Sequence, residues 1–426
     1  MTSPASPFAD AHPPLSPDQA AVEADRCYFC HDAPCVEACP TGIDVPGFIR
    51  SIGTGNLRGA AVAILQENIF GGACGRVCPT EVLCERACVR NAEEDRPIRI
   101  GALQRHATDW LLAQGEQPFA RAAPTPGRVA VVGAGPAGLA CAHRLALLGH
   151  AVMVFEARPK PGGLNEYGIA AYKMADDFAQ REVAFVLGVG GIEVEYDCRL
   201  GEDVALASLR KEYDAVFLAC GQAGVRALAL EGEALPGVVD AVAFIAGQRQ
   251  VADQAAVAVG RRVVVVGGGN TAIDAAVQAS RLGARDVAIA YRRGPETMGA
   301  TAKEQAWARS HGVRILHWAR PVALLAGEGV VTGVAFEDAR TGEAFALAAD
   351  MVLKAVGQIL VPAPAEGVAV EAARIAVDGE GRTSAPRVYA GGDCVAGPDL
   401  TVQAVQDGKR AAEAIHRDLM GTAWPI

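Results

Sequence analysis

The chain has 426 residues, 51% of them hydrophobic, and a formal net charge of -10, which is longer than one domain usually runs and supplies apolar residues for two or three cores. No Lys/Arg-rich block offsets the acidic balance, which argues against nucleic acid or an anionic membrane surface as partner. No uninterrupted apolar run reaches the ~20 residues that a membrane helix needs.

Met1 to Asp25 holds five prolines and has neither a basic start nor an apolar stretch. It reads as a flexible or loosely docked tail (1–25) and not as a secretory signal, so the cytoplasm is the expected compartment. Residues 26–120 read as a mostly helical domain. Val45 to Ile52, Leu57 to Glu67 and Ile100 to Ala113 carry apolar residues at helical spacing.

Two cysteine series run through this domain: Cys27-x2-Cys30-x4-Cys35-x3-Cys39-Pro40 and Cys74-x3-Cys78-Pro79-x4-Cys84-x3-Cys88. A cubane iron-sulfur cluster takes about four thiolate donors, of which a short loop presents three, so the fourth comes from elsewhere. Two clusters that exchange ligands fit these series better than one. A reducing compartment disfavours disulfides. Structural zinc shares the C-x2-C spacing, but the Cys-Pro pairs and the redox motifs downstream favour iron and sulfur.

Gln117 to Gly127, with Pro118, Pro124 and Pro126, reads as a linker. Beyond it, the apolar strand Arg128 to Val132 leads into Gly133-Ala-Gly135-Pro136-Ala137-Gly138 and a helix from Leu139 to Leu148. Glycines at this spacing allow the tight turn and the approach of a pyrophosphate to the helix N-terminus. A second strand, Val152 to Phe155, ends in Glu156, 18 residues past Gly138, where an acid would meet the adenosine ribose hydroxyls.

The pattern repeats 134 residues later: Arg262 to Val266, Gly267-Gly268-Gly269-Asn270-Thr271-Ala272, then a helix from Ile273 to Leu282. The next strand, Val287 to Tyr291, ends in Arg292 and Arg293 in place of an acid, which suits a 2'-phosphate and a preference for NADPH over NADH. A solvated loop is the plainer reading of the two arginines. Arg387 to Asp393 forms a return strand that closes on Gly391-Gly392-Asp393, followed by a helix from Val402 to Leu419.

The fold class is therefore α/β: a helical N-terminal iron-sulfur domain followed by two dinucleotide-binding (Rossmann-like) domains, the second inserted in the first. The boundaries are 127–225 and 355–426 for one, 226–354 for the other. This resembles the flavoproteins with two dinucleotide-binding domains, in which the first site holds FAD and the inserted domain holds NAD(P)H. Disulfide reductases of that group carry a dithiol beside the flavin. Here Cys141, Cys198, Cys220 and Cys394 stand apart in sequence and read as small buried hydrophobes.

As a whole the chain resembles the family of the glutamate synthase small subunit and the N-terminal half of dihydropyrimidine dehydrogenase, over about residues 25–420. Gly162-Gly163-Leu164-Asn-Glu-Tyr-Gly168 resembles the loop over the flavin. Thr401-Val402-Gln-Ala-Val-Gln-Asp-Gly-Lys409 looks more like the pyrimidine branch.

The resemblance implies flavin contacts at Gly163, Leu164, Gly392, Asp393, Thr401 and Val402, and nicotinamide-nucleotide contacts at Gly268, Gly269, Asn270, Thr271 and Asp274. It implies one 4Fe-4S cluster on Cys27, Cys30, Cys35 and Cys88, and a second on Cys39, Cys78 and Cys84 completed by Gln104. Cys74 is left over, so an all-cysteine second site stays open.

The expected function is an NAD(P)H-dependent oxidoreductase subunit. Electrons would pass through FAD and two clusters to an FMN-containing partner with a dihydroorotate-dehydrogenase-like barrel that reduces uracil or thymine. The chain would then work in a hetero-oligomer. A glutamate synthase small subunit and a stand-alone NAD(P)H:acceptor oxidoreductase are the alternatives. No acid-base residue is expected, because hydride transfer between stacked rings needs chiefly orientation.

Overall fold

The computed structural model of the chain describes residues 8–361 and 367–421. Its residues group into two compact units.

The larger unit comprises His12–Asn165, Asp176–Ala223 and Leu360–Ile426. Its first part is helical. The segment expected to be a loose tail contains the helix Pro17–Asp25, which corrects the reading over that stretch. Ser16 and Gln19 cap each other's backbone N–H at its start, and Ala20 and Ala24 are fully buried, so a capping box and a small apolar stripe outweigh the prolines around them. Residues 1–7 of the expected tail lie outside the described residues.

The helices Val45–Gly53 and Leu57–Glu67 start at Asp44 and Asn56, whose side chains accept the N–H of Gly47 and Gly59. With Ile100–Gln114 they enclose Phe48, Ile49, Ile64 and Leu103, all with no exposure. The expected linker is pinned down: Ala122 N–H donates to Leu147 O at 2.9 Å, and Thr125 N–H to Gly149 O at 3.0 Å.

The second part of this unit is a five-stranded parallel sheet in the order Val388–Ala390, Ala215–Leu218, Arg128–Val132, Ala151–Phe155, Ile192–Glu195. Its centre strand buries every residue from Val129 to Val132, as a sheet covered on both faces requires. Gly133 follows at φ +103°, and a Cβ there would strike Ala219 O, so only glycine makes the turn into the helix Pro136–Leu147.

The smaller unit comprises Met1–Ala11, Glu166–Ala175 and Gly224–Ile359. It holds a second five-stranded parallel sheet, ordered Val238–Asp240, Met351–Ala355, Arg262–Gly267, Asp286–Ala290, Arg314–Leu316. Three antiparallel strands, Ala319–Gly327, Val330–Asp338 and Ala344–Ala348, pack their apolar face on it through Val334 and Phe336. Sequence reading did not anticipate them, because their alternation is interrupted by register shifts at Pro321/Ala323 and Leu325/Ala326.

Glu166–Ala175 joins this unit although it follows the glycine loop of the other in sequence. Lys173 Nζ lies 2.7 Å from both Asp274 Oδ1 and Glu304 Oε1, and Arg249 pairs with Glu166. Among the described residues no helix is long and apolar enough to cross a membrane.

Candidate functional site

In the larger unit the cysteines fall into two sets. Burial pushes the Cys35 thiol up to about 12, and the charges of Cys88, Cys27 and Cys30 push the same way. Burial also raises Cys27, with Cys88 and Cys30 adding to it. In the other set Cys78 is raised by its hydrogen bond with Cys74, then by burial and by Cys74, Cys84 and Cys39. Cys84 is raised by burial, with Glu85, Cys39 and Cys35 behind it.

Thus Cys27, Cys30, Cys35 and Cys88 neighbour one another, as do Cys39, Cys74, Cys78 and Cys84. The Cys84–Cys35 interaction joins the two sets. Burial and the neighbouring sulfurs oppose ionisation of Cys27, Cys35, Cys78 and Cys84, and coordination to a metal deprotonates such thiols outright. The donor chemistry therefore fits an iron-sulfur group. Among the described residues no three His, Cys, Asp or Glu side chains surround a point for a single ion.

Cys74, left over in sequence, sits 3% exposed on the helix Gly71–Val77. Gln104 is 7% exposed on Ile100–Gln114 and donates Nε2–H to Gly71 O at 2.7 Å, so its amide nitrogen is tied to the helix that carries Cys74.

The first glycine loop meets a carboxylate. Glu156 Oε2 accepts Ala134 N–H at 2.7 Å, and Oε1 accepts Arg158 N–H at 2.9 Å. Burial raises its carboxyl against these bonds. The N-terminus of Pro136–Leu147 has no side-chain cap, which leaves its N–H groups available to an anion. Gly163 packs on Gly135: a Cβ on Gly163 would lie 2.7 Å from Gly135 Cα. Thr401 Oγ1–H donates to Asn165 Oδ1 at 3.0 Å.

At the return strand Gly392 N–H donates to Asp407 Oδ2 at 3.0 Å. Burial, with Asp399 and Asp407 nearby, pushes the Asp393 carboxyl up to about 6 against the pull of Arg374. Gly133, Gly135, Pro136, Ala137, Gly138, Glu156, Gly163, Leu164, Gly392, Asp393, Thr401 and Val402 all belong to this unit. Gly392 also lies against Ala137.

In the smaller unit Gly268, Gly269, Asn270 and Thr271 form the turn and first residues of the helix Asn270–Arg281, again with no side-chain cap. Arg292 and Arg293 are exposed, and neither guanidinium has a side-chain partner among the described residues. Asp274 differs from its neighbours. It is 5% exposed, and its carboxylate takes Lys173 Nζ, Tyr172 OH at 3.3 Å and Ala170 N–H at 3.4 Å. It anchors Glu166–Ala175 and is committed within the unit. Nothing in sequence pointed to that, because its partners lie about a hundred residues upstream.

A family model described as dihydropyrimidine dehydrogenase domain II, 4Fe-4S cluster, matches residues 5–116, and one for pyridine nucleotide-disulphide oxidoreductases matches 127–408. The NAD-dependent dihydropyrimidine dehydrogenase subunit PreT of Salmonella typhimurium is 36% identical, over 96% of both chains. The glutamate synthase [NADPH] small chain of Escherichia coli is 35% identical, over 96% of this chain and 93% of that one. The chain belongs to this family of PreT subunits and glutamate synthase small chains.

The chain joins an iron-sulfur domain to a pyridine-nucleotide domain and is an NAD(P)H-dependent oxidoreductase. The fold is also that of thioredoxin reductase from T. acidophilum, at 22% identity and a TM-score of 0.57 over 68% of this chain and 98% of that one. FprA from Mycobacterium tuberculosis in complex with NADPH gives a TM-score of 0.58 at 21% identity, over 71% and 88%.

Proposed function

We propose that the chain is the electron-input subunit of a dihydropyrimidine dehydrogenase in the cytoplasm. It would pass electrons from NAD(P)H to an FMN-containing partner that reduces uracil or thymine. Bound to it, FAD would accept hydride from the nicotinamide and release electrons singly to two 4Fe-4S clusters. The observation that carries the reading is the sorting of eight thiols into two neighbouring sets of four in a chain that also bears two dinucleotide loops.

Cys27, Cys30, Cys35 and Cys88 would hold one cluster. Cys39, Cys78 and Cys84 with Gln104 would hold the other, and Cys74 is the competing ligand. The free N–H groups of Pro136–Leu147 would take the flavin pyrophosphate, Glu156 the ribose hydroxyls, and Asp393 a hydroxyl of the ribityl chain. Its raised pKa allows Asp393 to donate as well as accept a hydrogen bond below about pH 6. Arg292 and Arg293 would meet a 2'-phosphate. No side chain is assigned an acid or base role, because the task of the protein is to orient the two rings.

A second reading, the small subunit of glutamate synthase, is favoured by the near-equal identity of that relative. Anaerobic affinity purification from the native cells separates the two. An FMN-bearing partner with uracil-dependent oxidation of NAD(P)H supports the proposal. A large glutaminase-bearing partner active on glutamine and 2-oxoglutarate overturns it.

A further inference from the structure

Three helices of the larger unit, Leu57–Glu67, Pro136–Leu147 and Thr401–Met420, line a cleft of about 780 Å³. Pro118, Phe119, Ala120 and Ala122 add a fourth side. That stretch is held at both ends: Gln117 Nε2–H donates to Phe185 O at 2.8 Å, and Ala122 N–H to Leu147 O at 2.9 Å. The volume is that of a pocket for a small organic ligand. Neither the first glycine loop nor any of the eight N-terminal cysteines lines it.

Most of the wall is apolar, with Leu65, Leu147, Leu148 and Val405 among its side chains. Along Thr401–Met420 the lining runs from Val405 to His416, at 1.5 Å per residue a span of about 16 Å and the reach of an extended chain of about ten to twelve carbons.

His143 interrupts that wall. It is 4% exposed, its ring stands edge-on to Phe119 at 5.7 Å, and its Nε2 is buried with no hydrogen-bond partner among the described residues. A buried polar atom left unpaired costs about 1–3 kcal/mol, which a ligand atom in the cleft would offset. Burial, with Arg144 beside it, pushes the His143 pKa down to about 3, so the ring is neutral near pH 7. As the Nε2–H tautomer it donates to an acceptor.

The charges in the lining select the acceptor. They are two cations, Arg144 and Lys409, and one carboxylate, Glu67. Lys409 Nζ lies 2.6 Å from Glu67 Oε2, so these two charges offset each other. Arg144 donates to Gln66 O at 3.2 Å and lies 4.0 Å from Glu413, which is outside the lining. The lining thus carries one net positive charge, at the residue next to His143. A group with a single negative charge and two acceptor oxygens matches that pair.

We propose that this cleft binds a medium-chain linear monocarboxylate, with the carboxylate on His143 Nε2–H and Arg144 and the chain against Leu65, Leu147, Leu148 and Val405.

The experiment is calorimetric titration of the holoenzyme with decanoate and with decanol, followed by hydrogen exchange with decanoate bound. One decanoate per chain should bind at least tenfold tighter than decanol, the scale of one charge-assisted hydrogen bond. Exchange should slow in residues 62–69 and 140–148. His143→Phe keeps a ring against Phe119 but removes the donor, and it should weaken decanoate about tenfold while leaving decanol unchanged. Val62 is a half-buried lining residue. Val62→Trp fills the cleft and should abolish binding of both compounds in a protein whose melting curve stays cooperative.

No binding of decanoate at millimolar concentration overturns the proposal, as does protection that maps elsewhere or binding that survives Val62→Trp. Equal affinities for decanoate and decanol overturn the assignment of the carboxylate to His143 and Arg144, and that comparison uses the wild-type protein alone. Because neither a dinucleotide loop nor a cysteine takes part, either result leaves the electron-input reading where it stands.

Discussion

Arg292 and Arg293 project from the end of Asp286–Ala290 without side-chain partners. Removing both should raise the KM for NADPH by tenfold or more, the size expected for lost charge-assisted hydrogen bonds of roughly 1.5–3 kcal/mol. NADH should be little affected, and steady-state kinetics with the two nucleotides measure the difference. Equal changes would return the pair to an ordinary solvated loop.

Glu182 makes a pH prediction. It is fully buried, accepts Ala73 N–H at 2.9 Å, and burial pushes its carboxyl up to about 8 from 4.5. A folded-state pKa above the unfolded one means that the protonated form is the stabilised one. Its contribution is full below pH 4.5 and is lost as pH rises through 8. Glu182→Gln keeps an acceptor for Ala73 and carries no charge, so its melting temperature should exceed that of the wild type above pH 8 and lose this advantage below 4.5. Thermal scans across that range read it directly.

The fourth ligand of the proposed second cluster is also a question of single residues. Gln104→Ala should change the electron paramagnetic resonance signal of one cluster and leave the other intact. An unchanged signal there, with loss of that cluster in Cys74→Ser, would move the ligand to Cys74.

Among the elements, the crossing of Pro136–Leu147 with Thr401–Met420 is tight. A Cβ on Gly408 would strike Ala137 O and lie 3.0 Å from Cys141 N. The obstruction is backbone, which cannot rotate aside as a side chain does. Gly408→Ala should therefore cost about 1–3 kcal/mol, as overpacking does. It should also weaken retention of the flavin, because the displaced helix begins at the loop proposed to receive the pyrophosphate. Denaturant titration and flavin content test the two effects separately.

Elements also show what could be read in advance. Val45–Gly53, Leu57–Glu67, Arg128–Val132 and Arg262–Gly267 were legible because apolar period, glycine turn and cap residues coincide within one segment. The meander from Ala319 to Ala348 was not, because its two bulges break the period on which a strand reading depends. The helix Pro17–Asp25 was missed for the opposite reason: its signal is a short capping box within a proline-rich stretch.

For the whole molecule, the crowding of the eight thiols ties folding of the N-terminal part to the metal. Stripping the iron should leave two sets of thiols that must be protonated or oxidised to persist, whereas the smaller unit holds its own core around Val263, Val265 and Ile289. Hydrogen exchange on the stripped protein should therefore speed up across residues 26–115 and stay slow in the strands Arg262–Gly267 and Asp286–Ala290. Uniform loss of protection in both would show that the iron-sulfur group holds up more than its own domain.

The sequence by itself determined the chemistry that depends on local spacing. A phosphate-binding turn needs its glycines within six residues, and cysteines that share a loop must be close in the chain, so both were present as motifs. Only the tertiary structure decided what depends on residues far apart. It brought Cys74 and Cys39 beside Cys78, committed Asp274 to Lys173, and laid the strand Val388–Ala390 against Ala215–Leu218. Such pairs are chosen by which strands lie side by side and which helices cross, and a linear pattern of residue types carries no record of that choice.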